Sequence, residues 1–259
     1  MKHNRYRVFY DRVDRDEVYS KGPARGDAFW DELEDFIRTF DLADKKLLEI
    51  GSGTGTLQDI VEDYVGVDVG ESLKKFYHKP FFVIADEKYP FPGSTFDAII
   101  TRAVFEHIPD INKALHEMLR ILKPGGVVLF SPAWQVRPWA SSGYAIRPYK
   151  DLHWREKLVK FSIPLRDNIL FRLLFIIPQR FWRTLWFVFH PGAFCYLHYK
   201  KLVPNYEIMW DADADACNHI DPHAAILYFL AHHCSVIGYP NLLRAFFVRS
   251  GSLIVRKNL

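Results

Sequence analysis

The sequence predicts a doubly wound α/β fold: seven strands, mostly parallel, with a helical aromatic insertion after the fifth strand. Three observations carry that prediction. Short apolar runs that stop at polar or glycine clusters alternate with amphipathic stretches as far as residue 132, as buried parallel strands and their crossover helices do. The same alternation resumes from residue 221 onward. Between the two lies a stretch of different composition. From Trp134 to Trp210 twelve Lys and Arg face four acids, so this segment is +8 in a chain of net +3, and six of the seven tryptophans fall in it.

Residues 26–40, GDAFWDELEDFIRTF, place Phe29, Leu33, Phe36, Ile37 and Phe40 at spacings of three and four, which predicts a helix with Asp27 as its cap. Lys46–Ile50 reads as a buried strand ending at a glycine cluster. A second helix is expected over roughly Leu57–Asp63, then strands over Tyr64–Val69, Phe81–Ala85 and Phe96–Thr101. A helix from Ile111 to Leu122 runs into Lys123-Pro124-Gly125-Gly126, which stops it, and VVLFSP follows as the fifth strand. Asp221-Pro222 supplies an N-cap and a first-turn proline for a helix through Leu230. Strands near Ser235–Tyr239 and Ser252–Arg256 close the sheet. The expected division is a core at 1–133, a cap at 134–210 and a C-terminal completion of the sheet at 211–259.

Composition excludes several classes. The chain is long enough to bury a core without staples, and Cys195, Cys217 and Cys234 are odd in number with no C-x-x-C pair, which argues against a disulfide framework or a zinc site. The charged start, MKHNRYRVFYDRVDRDE, has no apolar stretch for a signal peptide, so a cytoplasmic protein is expected. A net charge of +3 argues against wholesale nucleic-acid binding.

The chemistry-bearing motif is Glu49-Ile50-Gly51-Ser52-Gly53-Thr54-Gly55 at the end of the first strand. Glycines there let the backbone turn sharply and approach a nucleotide-like ligand. A diphosphate loop needs G-x-G-x-x-G, whereas this one is G-x-G-x-G with an acid two residues ahead.

With these residues the sequence resembles the class I S-adenosylmethionine-dependent methyltransferases, type 11 group, whose first motif is E/D-x-G-x-G-x-G. Gly66-Val67-Asp68-Val69, Asp86 in Ile84-Ala85-Asp86, Phe96-Asp97-Ala98-Ile99-Ile100, Phe105-Glu106-His107-Ile108-Pro109-Asp110 and Leu119-Arg120-Ile121-Leu122-Lys123-Pro124-Gly125-Gly126 extend the likeness over residues 45–132. The resemblance implies a Rossmann-like sheet with S-adenosylmethionine as cofactor. It implies a binding set of Glu49, Gly51, Ser52, Gly53, Gly55, Asp68, Val69, Asp86, Glu87 and Arg102. In that set Asp68 holds the two ribose hydroxyls and Asp86 sits beside the adenine amino group. Transfer of a methyl group mainly requires alignment of the acceptor, and a general base helps when that acceptor is a hydroxyl. His107 is the first candidate base, His219 and Asp213 the alternatives; His107 has the competing reading of a packing feature.

The insertion is the least ordinary part. Residues 169–189 read like a membrane span, but Arg172, Pro178, Arg180 and Arg183 interrupt it, so one or two amphipathic helices kinked at Pro178 are expected instead. Three roles are open: the core of a helical cap, an acceptor pocket for a bulky or anionic substrate, and peripheral contact through 165–190 with the inner face of a membrane. A cap forming the pocket, as a lid over the methyl group, is the expected role. Asp211, Asp213 and Asp215 before His219 could bind a divalent cation or serve the acceptor, but their ordinary reading is the acidic lead-in to a helix N-terminus, and no metal is expected. The expected activity is O-methylation of a bulky polar acceptor such as a glycan, lipid-linked sugar or secondary metabolite. N- or C-methylation and a non-catalytic cofactor-binding scaffold are the alternatives.

Overall fold

The structure, a computed structural model, describes residues 2–12, 28–84 and 87–259, with the backbone alone for 2–4. The described strands are β1 (Leu47–Ile50), β2 (Tyr64–Asp68), β3 (Phe81–Val83), β4 (Phe96–Arg102), β5 (Leu122–Ser131), β6 (Lys200–Lys201), β7 (Asn218–His219), β8 (Cys234–Ile237) and β9 (Leu253–Lys257). The helices are α1 (Lys2–Tyr10), α2 (Ala28–Thr39), α3 (Ile111–Ile121), α4 (Trp154–Asp167), α5 (Ile169–Phe189), α6 (Pro222–Ala231) and α7 (Leu242–Phe246). The chain divides into two compact units, one of residues 1–133, 233–238 and 251–259, the other of 134–232 and 239–250.

The first unit holds the seven-stranded sheet, in the order β3-β2-β1-β4-β5-β9-β8. Pairings from β3 through β5 are parallel, and β9 is antiparallel to both β5 and β8, so β9 alone opposes the other six. This is the mostly parallel, Rossmann-like sheet that the strand pattern predicts. Strand order reverses between β1 and β4, which opens a crevice at their carboxyl ends, where ligands of such sheets bind. One face is covered by α2, whose Phe29, Trp30, Leu33 and Phe36 pack with Leu47, Ala98, Ile100 and Leu129. Each such side chain, fully buried, contributes roughly 1.5–3 kcal/mol. Residues of opposite parity, Leu48, Ile99, Val128 and Phe130, are buried on the other face, where Phe105 meets Phe130 edge-on at 4.9 Å. Asp110 caps α3 by accepting from Lys113 N at 3.1 Å. Asp27, the expected cap of α2, lies outside the described residues.

The helix expected over Leu57–Asp63 does not form; the β1–β2 crossover is a chain of turns. Its backbone bonds, Gly55 N to Ser52 O, Gln58 N to Gly55 O and Ile60 N to Leu57 O, all span three residues. Asp63 O accepts from Leu47 N at the start of the β1–β2 ladder, so the turns end directly in the sheet. Leu57 and Val61 are nevertheless buried against α2 and β1, which is why the apolar spacing there resembles a helix.

In the second unit, α6 has the predicted start: Asp221 accepts from His223 N, and Pro222 occupies the first turn. The same carboxylate receives Arg180 Nη2 at 2.8 Å and Arg183 Nη1 at 2.7 Å. Arg180 Nη1 donates to the carbonyls of Phe246 and Val248, tying α5 to α7. Helix α5 runs continuously through Pro178, and Arg180 is its one buried residue.

Candidate active site

At the end of β1 the chain turns at Gly51, with φ of 70°, and a Cβ there would run into the Val104 side chain of the segment after β4. Gly53 has φ of 51° and nothing within 4 Å of where its Cβ would be, so its backbone faces open space. The turn is locked from behind by Tyr77, whose hydroxyl donates to Ser52 O at 2.9 Å and lies 2.7 Å from Ser52 Oγ. Ser52 Oγ itself bonds Val67 O at 3.3 Å.

Two carboxylates converge on this turn. Glu49 is buried on β1 and accepts from the Tyr64 hydroxyl on neighbouring β2. Burial pushes its pKa up to about 8; the Tyr64 bond pulls it back, and the Asp68 charge adds to the rise. Asp68 ends β2 and accepts from Gly53 N at 2.9 Å, Val69 N at 2.7 Å and Gly70 N at 3.4 Å. Burial still raises its pKa, against the lowering effect of these N–H groups. Gly53 donates to Oδ2 and the other two to Oδ1, so Oδ2 keeps lone-pair capacity for another donor.

Beside the turn, Val69 and Glu87 line a small cavity with Tyr6, Arg7, Ile84, Tyr89 and Ile108. Helix α1 borders it, held by Arg7 Nη2 on Ile84 O at 3.3 Å and by Asp11 on Ser72 N at 3.0 Å. The Tyr89 hydroxyl is buried with no hydrogen-bond partner among the described residues. Asp86 lies outside the described residues. Arg102, at the end of β4, stacks over the Phe29 ring at 4.5 Å.

The segment after β4 places His107 in a buried position, Nε2 3.6 Å from Oε1 of the fully buried Glu106, with Tyr10 approaching edge-on. His219 and Asp213 belong to the second unit. His219 Nδ1 lies 2.8 Å from Val136 O, so Nδ1 carries the proton and Nε2 the lone pair; burial lowers its pKa. Asp211 O and Asp213 O close successive turns onto Ala214 N and Ala216 N, and Asp215 is fully buried.

The structure thus brings Glu49, Gly51, Ser52, Gly53, Gly55, Asp68 and Val69 together. Tyr64, Tyr77 and Tyr89 are what motif reading omits. Tyr64 sits at an ordinary position on β2, Tyr77 follows a 3₁₀ turn and Tyr89 lies in the connection between β3 and β4, so only the tertiary contacts reveal them.

Residues 48–130 match the Methyltransf_11 family, described as a methyltransferase domain. Over this third of the chain the sequence is similar to the type 11 methyltransferase domains. Enzymes of this class take their methyl group from S-adenosylmethionine. The chain carrying this domain is 32% identical over 114 residues to the ubiquinone/menaquinone biosynthesis C-methyltransferase UbiE of Rickettsia bellii, a match covering 36% of this chain and 46% of that one. It therefore spans about half the length of the curated relatives it matches. Among solved structures, the YcgJ protein of Bacillus subtilis is 18% identical with a TM-score of 0.43, over 80% of this chain and 70% of its own. A SAM-dependent methyltransferase of Aquifex aeolicus is 20% identical with a TM-score of 0.33, over 50% and 77%.

Proposed function

We propose that the chain is an S-adenosylmethionine-dependent methyltransferase whose cofactor lies on the Gly51–Gly55 turn. The observation that carries this reading is a pair of buried carboxylates, Glu49 and Asp68, on a turn with no helix N-terminus behind it. A diphosphate would need converging N–H groups and a positive helix end. Here the Gly53 N–H already serves Asp68, and the nearest charges are negative. A ligand with a cationic sulfonium and ammonium and two ribose hydroxyls suits the same surroundings, since a cation stabilises the ionised form of Glu49.

In this reading Glu49 attracts the cationic end, Asp68 Oδ2 accepts from a ribose hydroxyl, and Gly53 gives the ligand room. Val69, Glu87 and the Tyr89 hydroxyl border the adenine, with Asp86 beside its amino group. Arg102 faces the methionine carboxylate. The cofactor supplies an electrophilic methyl group; the chain's task is to align an acceptor and, for a hydroxyl acceptor, to take up its proton. His107 is the proposed base, because the Glu106 carboxylate within 3.6 Å favours the imidazolium that proton uptake creates. His219, with Nε2 as its lone pair, and Asp213 are the alternatives.

We assign the acceptor as bulky and polar or anionic, because the +8 segment at 134–210 attracts negative charge; oxygen is the methylated atom in this reading, as the hydroxyls of such acceptors offer it. The curated relatives are named as quinone C-methyltransferases, and C-methylation of a lipophilic acceptor is the second reading. The test supplies the purified chain with methyl-labelled S-adenosylmethionine and fractionated extracts of glycans, lipid-linked sugars and small metabolites. Transfer to an oxygen in the polar fractions, lost in His107→Ala while S-adenosylhomocysteine still binds, supports the proposal. Binding without transfer to any fraction points to the non-catalytic scaffold.

A further inference from the structure

Helices α4 and α5 are turned inside out. Helix α4 buries only Ile163, and α5 buries only Arg180, although α5 is the most apolar long stretch of the chain. Phe161 is 78% exposed on α4, and Leu170, Trp182 and Phe189 are 70%, 65% and 70% exposed on α5. On α4 the exposed apolar positions Trp154, Leu158, Phe161 and Leu165 lie along one side; on α5 they run round most of the helix, with Leu170, Leu174, Phe181 and Leu185 along one side and Trp182, Trp186 and Phe189 beside them. A buried arginine explains the orientation. Its guanidinium is fixed to Asp221, Phe246 O and Val248 O, so rolling α5 to hide the apolar stripe would break three bonds within a buried site. The outward face is therefore held in place by the unit's own packing.

We propose that the α4–α5 face docks, lying flat, on an anionic lipid surface. Contiguous exposed apolar patches on this scale mark an interaction site. Charge complementarity selects the occupant. Helix α5 contains no acid, and Arg155, Lys157, Lys200 and Lys201 stand exposed in a segment of net +8. Two copies meeting through this face would bring like charges together, whereas an anionic bilayer offers apolar depth and negative headgroups at once. Tryptophan and phenylalanine on the outward face suit the headgroup boundary. Neither helix crosses the bilayer: no described helix is long and apolar enough.

The test uses the full chain with vesicles of pure phosphatidylcholine and of phosphatidylcholine containing one third phosphatidylglycerol. Flotation with the anionic vesicles, weakened in high salt, and quenching of tryptophan fluorescence by acyl-chain-brominated lipid are expected. The exposed-site variant Leu174→Ser/Phe181→Ser should lose at least about ten-fold in partitioning, since each buried CH₂ is worth roughly 0.8 kcal/mol. Lys157→Glu should lose about five-fold, the equivalent of about 1 kcal/mol per basic residue at such a surface. Because these residues are exposed, both variants should melt like the wild type and bind S-adenosylhomocysteine unchanged, which separates this proposal from the methyltransferase reading. Failure of the wild type to float with anionic vesicles at low salt, or flotation without quenching, overturns the proposal. So does a wild-type dimer that these substitutions dissociate, since the face would then be occupied by a second copy.

Discussion

Burial lifts the Glu49 carboxyl from its ordinary 4.5 to about 8, so over that interval the folded chain holds a proton that the unfolded chain releases. Its contribution to stability is full below 4.5 and is lost as pH rises through 8. Glu49→Gln removes this dependence. The variant should match the wild type near pH 5 and be more stable at pH 9 by roughly 1–3 kcal/mol, while S-adenosylhomocysteine affinity falls. Thermal melts at the two pH values, with calorimetry, check both halves; equal pH profiles would remove Glu49 from the buried pair. Asp68 works differently, because it also accepts three N–H bonds that hold the turn. Asp68→Ala should therefore lower the melting temperature as well as cofactor affinity, the latter by about 1.5–3 kcal/mol. A calorimetric titration of a variant that still melts cooperatively separates the two losses. The motif residues were legible in sequence because glycine and carboxylate at fixed spacing have few other uses on a strand end. Tyr64, Tyr77 and Tyr89 were not, since strand pairing and side-chain packing bring them to the site from positions without a local signal.

Within the β1 turn, two glycines have separate jobs that substitution can tell apart. At Gly51 a Cβ meets Val104, so Gly51→Ala should destabilise the fold by about 1–3 kcal/mol, as overpacking does. At Gly53 a Cβ meets no protein atom, so Gly53→Ala should cost only about 1 kcal/mol of stability for its positive φ, with a larger loss of cofactor affinity. Paired melts and calorimetric titrations check this; a larger stability loss at Gly53 than at Gly51 would contradict it. The seven strands of the main sheet, α2, α3 and the capped start of α6 were legible from periodicity and caps, whereas the short β6–β7 pair carries no such signal. The absent helix at 57–63 was not legible, because apolar spacing records which side chains are buried, here Leu57 and Val61, and a chain of turns buries them as a helix would. In α5 periodicity again marks a face, but it cannot say that the arginine goes in and the tryptophans go out.

Across the whole molecule, the two units should respond to pH in opposite directions. Stability linked to Glu49 in the first unit falls as pH rises from 4.5 toward 8. In the second, burial lowers the His223 pKa to about 3, with Arg183 adding to the effect, while Arg180 and Arg183 hold Asp221 at about 2 despite its burial. Both folded values lie below the unfolded ones, so their contribution is full above 6.5 and is lost as pH falls toward 2. Hydrogen exchange at pH 5 and pH 8, corrected for intrinsic rates, should show α6 less protected at the lower pH and β1 less protected at the higher. Arg180→Met should cost the second unit about 3–5 kcal/mol, because it breaks a buried pair and orphans two carbonyls. A loss below 1 kcal/mol in a chemical melt would mean that the network does not orient α5.

Whether the Glu49–Asp68 turn binds S-adenosylmethionine is decided by equilibrium calorimetry on the intact chain. Titration with S-adenosylhomocysteine should give saturable binding that Asp68→Ala weakens by about ten-fold or more, and NAD should give none. Binding of NAD in preference to S-adenosylhomocysteine, or unchanged S-adenosylhomocysteine affinity in a folded Asp68→Ala variant, would contradict the account.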